Sequence, residues 1–154
     1  FGNVERFDHD EIGFNYRMTD LQASLAYSQF LQLDKNMSIM KKNVRLYKKF
    51  LNTKFITFQK VNKNCKNVWW MFAFILKKHF AKDLISYLKQ HKIDSRNLFK
   101  PLNSMKFFKG KKKLKSNNSM YLYDHGLYIP SGYDLSLNQI KKISTICNNF
   151  FKKY

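Results

Sequence analysis

The chain has 154 residues, 44% of them hydrophobic and 17% aromatic, with a formal charge of +19. This is enough to bury one core and too apolar for a disordered tail, while no apolar run approaches the roughly 20 residues that cross a bilayer. The charge invites a polyanion-binding reading, but only Arg6, Arg17, Arg45 and Arg96 among the 29 basic residues are arginine. Lysine, asparagine, isoleucine, phenylalanine and tyrosine are residues that AT-rich codons favour, so solvated lysines on helix faces are a sufficient source of the charge.

The opening Phe1-Gly2-Asn3 has neither an initiator methionine nor a basic-then-apolar leader, which is the expectation for a piece of a longer protein. Residues 1–18 are polar and irregular, with Gly2 and Gly13 as breakers. Thr19-Asp20-Leu21-Gln22 spells a capping box. Behind it Ala23, Ala26, Phe30, Leu33, Met37, Met40, Val44, Tyr47 and Leu51 recur in steps of three and four, predicting one long helix over 19–51. A coiled coil shows the same spacing, but small Ala23 and Ala26 favour close packing across a domain.

Phe55–Gln59 is a short run of β-formers. Val68–Leu76 is almost wholly apolar, as a central strand covered on both faces would be. Ala81–His91 carries Leu84, Ile85 and Leu88 on one face, and Ile93 begins an edge strand. Residues 99–118 are the least regular, with an exposed loop around Lys109–Lys113. A helix over Ser119–His125 ends at Gly126, read as a left-handed C-terminal glycine, and Leu127–Ile129 is a brief strand stopped by Pro130. Ser136-x-x-Gln139 repeats the capping box, and Ile140, Ile143, Cys147 and Phe150 stripe a final helix. Cys65 and Cys147 form no disulfide framework, and the four histidines make no metal-ligand cluster, so a reduced, cytosolic setting is the simplest inference. The element order predicts an α+β layer, helices on a small, mostly antiparallel sheet.

Composition and spacing leave function open, but Gly13-Phe14-Asn15-Tyr16-Arg17-Met18-Thr19-Asp20-Leu21-Gln22-Ala23 does not. It resembles the signature of the DegT/DnrJ/EryC1/StrS sugar aminotransferases at each of its consecutive positions. Ile93-Asp94-Ser95-Arg96 with Pro101-Leu102, and Gly126-Leu127-Tyr128-Ile129-Pro130-Ser131 with Leu135-Ser136 and Gln139-Ile140, resemble two later family segments in the expected order. Within the family, Gly126–Gly132 is most similar to perosamine-synthase-like members. Two positions depart from it: Asn103 stands where histidine is common, and Lys92 where glycine is usual.

The resemblance implies a pyridoxal-phosphate-dependent fold, of which 1–18 would end the large-domain segment and 19–154 form the small C-terminal domain. It implies a homodimer with shared active sites, passing an amino group from glutamate to a nucleotide-linked keto sugar. The lysine that carries the cofactor would precede Phe1, so no catalytic residue is assigned here and the isolated chain is expected to be inactive. Asn15 would donate to the cofactor phosphate of the neighbouring subunit, or else simply close a turn. Arg17 would meet the substrate's diphosphate as a two-pronged donor, or else pair with Glu11 or Asp20. Tyr16 would shape the same wall, and Arg96 would stand near the substrate entrance or hold the sheet edge. No metal and no membrane enter this reading.

Three alternatives remain. A family member lacking the lysine would dehydrate rather than aminate. A basic module would bind RNA or DNA through Lys109–Lys115, Phe107, Phe108 and Tyr121. A third possibility is an interaction fragment that dimerises through 19–51.

Overall fold

The structure, a computed structural model, describes residues 12–78, 80–106 and 117–153. The chain forms two compact units, 1–34 and 35–154.

In the first unit, α1 (Asp20–Leu31) begins at the expected capping box. Thr19 Oγ1 accepts from the Gln22 backbone N–H at 3.3 Å, and Gln22 Oε1 accepts from the Thr19 N–H at 3.0 Å. Two of the four orphan donors of a helix start are thereby satisfied. The single helix expected over 19–51 is not formed. Gln32 leaves helical geometry at φ −102°, ψ 3°, and α2 (Leu33–Phe50) is a separate element. No α1 residue is buried in this chain. The stripe packs only from the middle of α2 onward, where Val44, Tyr47 and Leu51 are buried and Met37 and Met40 are half-buried.

The second unit holds an antiparallel sheet of β1 (Ile56–Phe58), β2 (Phe72–Leu76), β3 (Arg96–Asn97) and β4 (Gly126–Ile129) in the order β1-β2-β4-β3. Phe72 faces Ile129 and Phe74 faces Leu127 across the central pair. With Leu76, these side chains form the floor on which α2, α3 (Ala81–Gln90) and α5 (Leu137–Lys153) bury Tyr47, Leu84, Leu88, Ile140, Cys147 and Phe151. The predicted α+β class is the one observed: helices on a small antiparallel sheet. The central strand departs from expectation. Only Phe72–Leu76 is regular, and it is fully buried on one face and half-buried on the other.

Two helix ends show how local chemistry sets the fold. α3 closes in a Schellman turn, with the Ile93 N–H donating to Leu88 O and the Lys92 N–H to Lys89 O, both at 3.0 Å. That turn needs a left-handed residue, and Lys92 takes it at φ 59°. α4 (Asn117–His125) runs straight into β4, so Gly126 is the first strand residue rather than a left-handed terminator. Its lack of a side chain is required by close approach instead, since a Cβ there would collide with the Leu98 side chain and the Leu122 carbonyl. α5 starts at the second capping box, with Ser136 and Gln139 exchanging side-chain and backbone bonds.

Candidate functional site

Residues 12–19, before α1, have no regular secondary structure and are exposed, and capping of the helix behind them fixes where they end. Asn15 Oδ1 accepts from the Arg17 N–H at 3.0 Å, so Asn15 does close a local turn. That bond uses only the carbonyl half of the amide. The Nδ2 group, with two donors, has no partner among the described residues, which is the state required of a donor to an incoming oxyanion. Tyr16 is 89% exposed, its ring 5.9 Å from that of Phe14. Arg17 is exposed as well. Asn15, Tyr16 and Arg17 thus share one exposed stretch.

Arg96 belongs to the other unit. It sits on edge strand β3 opposite Tyr128, and its guanidinium reaches Asp94 at 3.5 Å with 70% of the side chain exposed. A pair so long and so exposed holds little energy and leaves the guanidinium free to exchange partners. Arg96 therefore helps form the sheet edge while presenting its charge to solvent.

Two features escaped sequence reading. Asn43 and Tyr47, one turn apart on α2, reach the strand–loop junction after β4. Asn43 Nδ2 donates to Gly132 O at 3.0 Å, and the Tyr47 hydroxyl donates to Pro130 O at 2.7 Å. Burial, with the nearby Cys147 thiol adding to it, raises the Tyr47 phenol well above its ordinary range, so it remains a donor at all ordinary pH. The polar Asn43 beside an apolar helix stripe was the available signal. The second feature is the turn before β2, where Trp69 adopts φ 54°. Nothing local in Val68–Leu76 announces it.

Of the basic module, Lys109–Lys115, Phe107 and Phe108 lie outside the described residues, as does Glu11. The Tyr121 ring is engaged with His125 at 4.5 Å. Among the described residues, no His, Cys, Asp and Glu side chains cluster to hold a metal ion, and no helix is long and apolar enough to cross a membrane.

Comparison with known proteins finds relatives over nearly the whole chain. The model of the DegT/DnrJ/EryC1/StrS aminotransferase family matches residues 1–148. A GDP-perosamine synthase of Vibrio cholerae is 25% identical over 151 residues, 96% of this chain and 41% of that protein. One from Escherichia coli O157:H7 is 28% identical over 144 residues, 93% of this chain and 39% of the relative. The chain thus spans about 40% of the length of these curated relatives. Among solved structures, Helicobacter pylori PseC, an aminotransferase involved in the biosynthesis of pseudoaminic acid, superposes with TM-score 0.85 at 16% identity, covering 98% of this chain and 43% of that one. DesV of S. venezuelae, solved in complex with a ketimine intermediate, superposes with TM-score 0.83 at 17% identity, covering 96% and 40%.

Proposed function

The chain belongs to the DegT/DnrJ/EryC1/StrS aminotransferase family, and from that premise we propose that it is the C-terminal part of an enzyme that aminates a nucleotide-linked keto sugar at the expense of glutamate. The reading is of a cytoplasmic homodimer with active sites shared between subunits, using pyridoxal phosphate. Neither nucleic acid nor membrane has a part in it. Bound, pyridoxal phosphate would act as the electron sink through which the amino group passes from donor to sugar.

The residues present suit that group. A phosphate dianion needs directed donors, and the Nδ2 of Asn15, which has no partner among the described residues, supplies them without adding a fixed charge. The bond from Arg17 N–H holds the amide in place, so its donors are oriented before any ligand arrives. Arg17 adds a planar fork suited to the substrate's diphosphate. Tyr16 walls the same approach; the place of Arg96 near the substrate entrance rests on the family likeness of the Ile93–Arg96 segment, and its exposed guanidinium suits an acidic substrate.

The observation that carries the proposal is the half-used amide of Asn15, and a single substitution tests it. Asn15→Asp keeps an oxygen for the Arg17 N–H, and hence the turn, but removes both donors. In the protein joined to its remaining N-terminal part, this variant should bind pyridoxal phosphate roughly ten- to a hundredfold more weakly, the loss expected for a hydrogen bond to a charged group. Cofactor retained after dialysis, read by absorbance, measures it. Equal retention by variant and parent would remove Asn15 from the phosphate site.

A further inference from the structure

The turn before β2 is strained and braced. A tryptophan at φ 54° is an outlier for so bulky a residue, and such a conformation persists only where its surroundings hold it. Here they do. Asn67 Oδ1 accepts from the Trp69 N–H at 2.8 Å, and Asn67 Nδ2 is itself fixed by Gln59 Oε1 at 3.1 Å. The Lys48 ammonium lies 4.8 Å from the centre of the Trp69 ring and 5.7 Å from that of Phe58. Three residues later β2 becomes regular, its first N–H, that of Phe72, donating to Ser131 Oγ at 3.1 Å.

The bracing falls on Trp69, yet its outcome is the presentation of Trp70. That side chain is 72% exposed and has no ring or hydrogen-bond partner among the described residues. Asn67, the residue that pins the turn, also lines a hollow of about 380 Å³ with Gln59, Lys60, Asn62 and Lys66. Val68, two residues before Trp70, lines the same hollow; an exposed indole that close along the chain to two ammonium groups and three amides suits a ligand that is part ring and part phosphate.

We propose that Trp70 is a stacking platform for a ring of the nucleotide-linked sugar, with Lys60 and Lys66 drawing its phosphates. This rests on the amino-transfer reading for the identity of the ligand. Two rings of that ligand, the nucleobase and the hexose, share the chemistry.

The two tryptophans of the chain are Trp69 and Trp70, so tryptophan emission, excited where tyrosine does not absorb, reports on this turn. The chain is titrated with GDP-mannose, GDP, mannose and pyrophosphate at low salt. GDP-mannose should quench saturably. Quenching by GDP with equal affinity assigns the nucleobase, and a clear advantage of GDP-mannose over GDP assigns the hexose. Trp70→Ala should weaken binding roughly tenfold or more, a loss of the size expected for one stacked ring. Trp70→Leu, which keeps apolar bulk without a π-face, should weaken it similarly, while Trp70→Phe should retain most of the affinity. Far-UV circular dichroism checks that each variant is folded.

The proposal fails if GDP-mannose leaves the emission unchanged, if pyrophosphate binds as well as GDP-mannose, or if Trp70→Leu binds as tightly as the parent. Any of these results, with amino transfer intact in the joined protein, removes Trp70 alone. Absence of amino transfer there would instead remove the function proposed above.

Discussion

At the scale of single residues, strain and burial make the sharpest predictions. Lys92 occupies a left-handed position that costs any side-chain-bearing residue about 1 kcal/mol. Lys92→Gly should relieve that strain against a loss in unfolded-state entropy, leaving a gain of about 0.5 kcal/mol in urea unfolding. Tyr47→Phe strips the Pro130 carbonyl of its donor and should cost about 1–2 kcal/mol. Burial pushes the Cys147 thiol from its usual 9.0 up to about 12. Between those values the unfolded chain has released a proton that the folded chain keeps, so stability is full below pH 9 and falls as pH rises toward 12. Cys147→Val should flatten that fall relative to the parent, which pH-dependent urea midpoints would reveal. The exposed Cys65 should react with a thiol reagent in the native protein, whereas Cys147 waits for unfolding. Asn15, Tyr16 and Arg17 stand out in the chain because a motif of rare residues holds them, and Arg96 because of the later Ile93–Arg96 segment; their roles are the proposal made above. The Trp70 platform was not legible, because it depends on Lys48 and Gln59, which meet Trp69 and Asn67 only after folding.

Among the elements, what could be read from the chain was what is decided locally. Both capping boxes form as spelled, since each needs only residues three apart. Ser136→Ala should therefore cost about 1 kcal/mol, measured by thermal unfolding. The face of α5 follows its stripe for the same reason. The break at Gln32 was illegible because the three-and-four spacing runs through it unchanged, and periodicity registers which residues are apolar rather than whether a partner is present to bury them. The start of β2 was hidden inside an apolar run whose first residues form a turn. Gly126 was rightly singled out but for the wrong cause. Gly126→Ala should destabilise by about 1–3 kcal/mol, because one of the atoms it meets is backbone and cannot rotate away.

For the whole molecule, charge and chain order dominate. With a formal charge of +19, self-repulsion opposes compactness. The melting temperature should rise as salt is raised from about 10 to about 150 mM, over which the screening length shortens from about 30 to about 8 Å. A flat response would mean the lysines are too far apart to matter. The strand order β1-β2-β4-β3 carries a consequence for biosynthesis. A ribosome delivers β1, β2 and then β3, but β3 pairs with β4 and not with β2. During translation the β1–β2 pair and the lone Arg96–Asn97 segment must therefore wait, each with an unsatisfied edge, until Gly126–Ile129 leaves the exit tunnel and inserts between them. A nascent chain stalled before that point would be open to misassembly, so delivery of Gly126–Ile129 governs whether the rest of this unit can close.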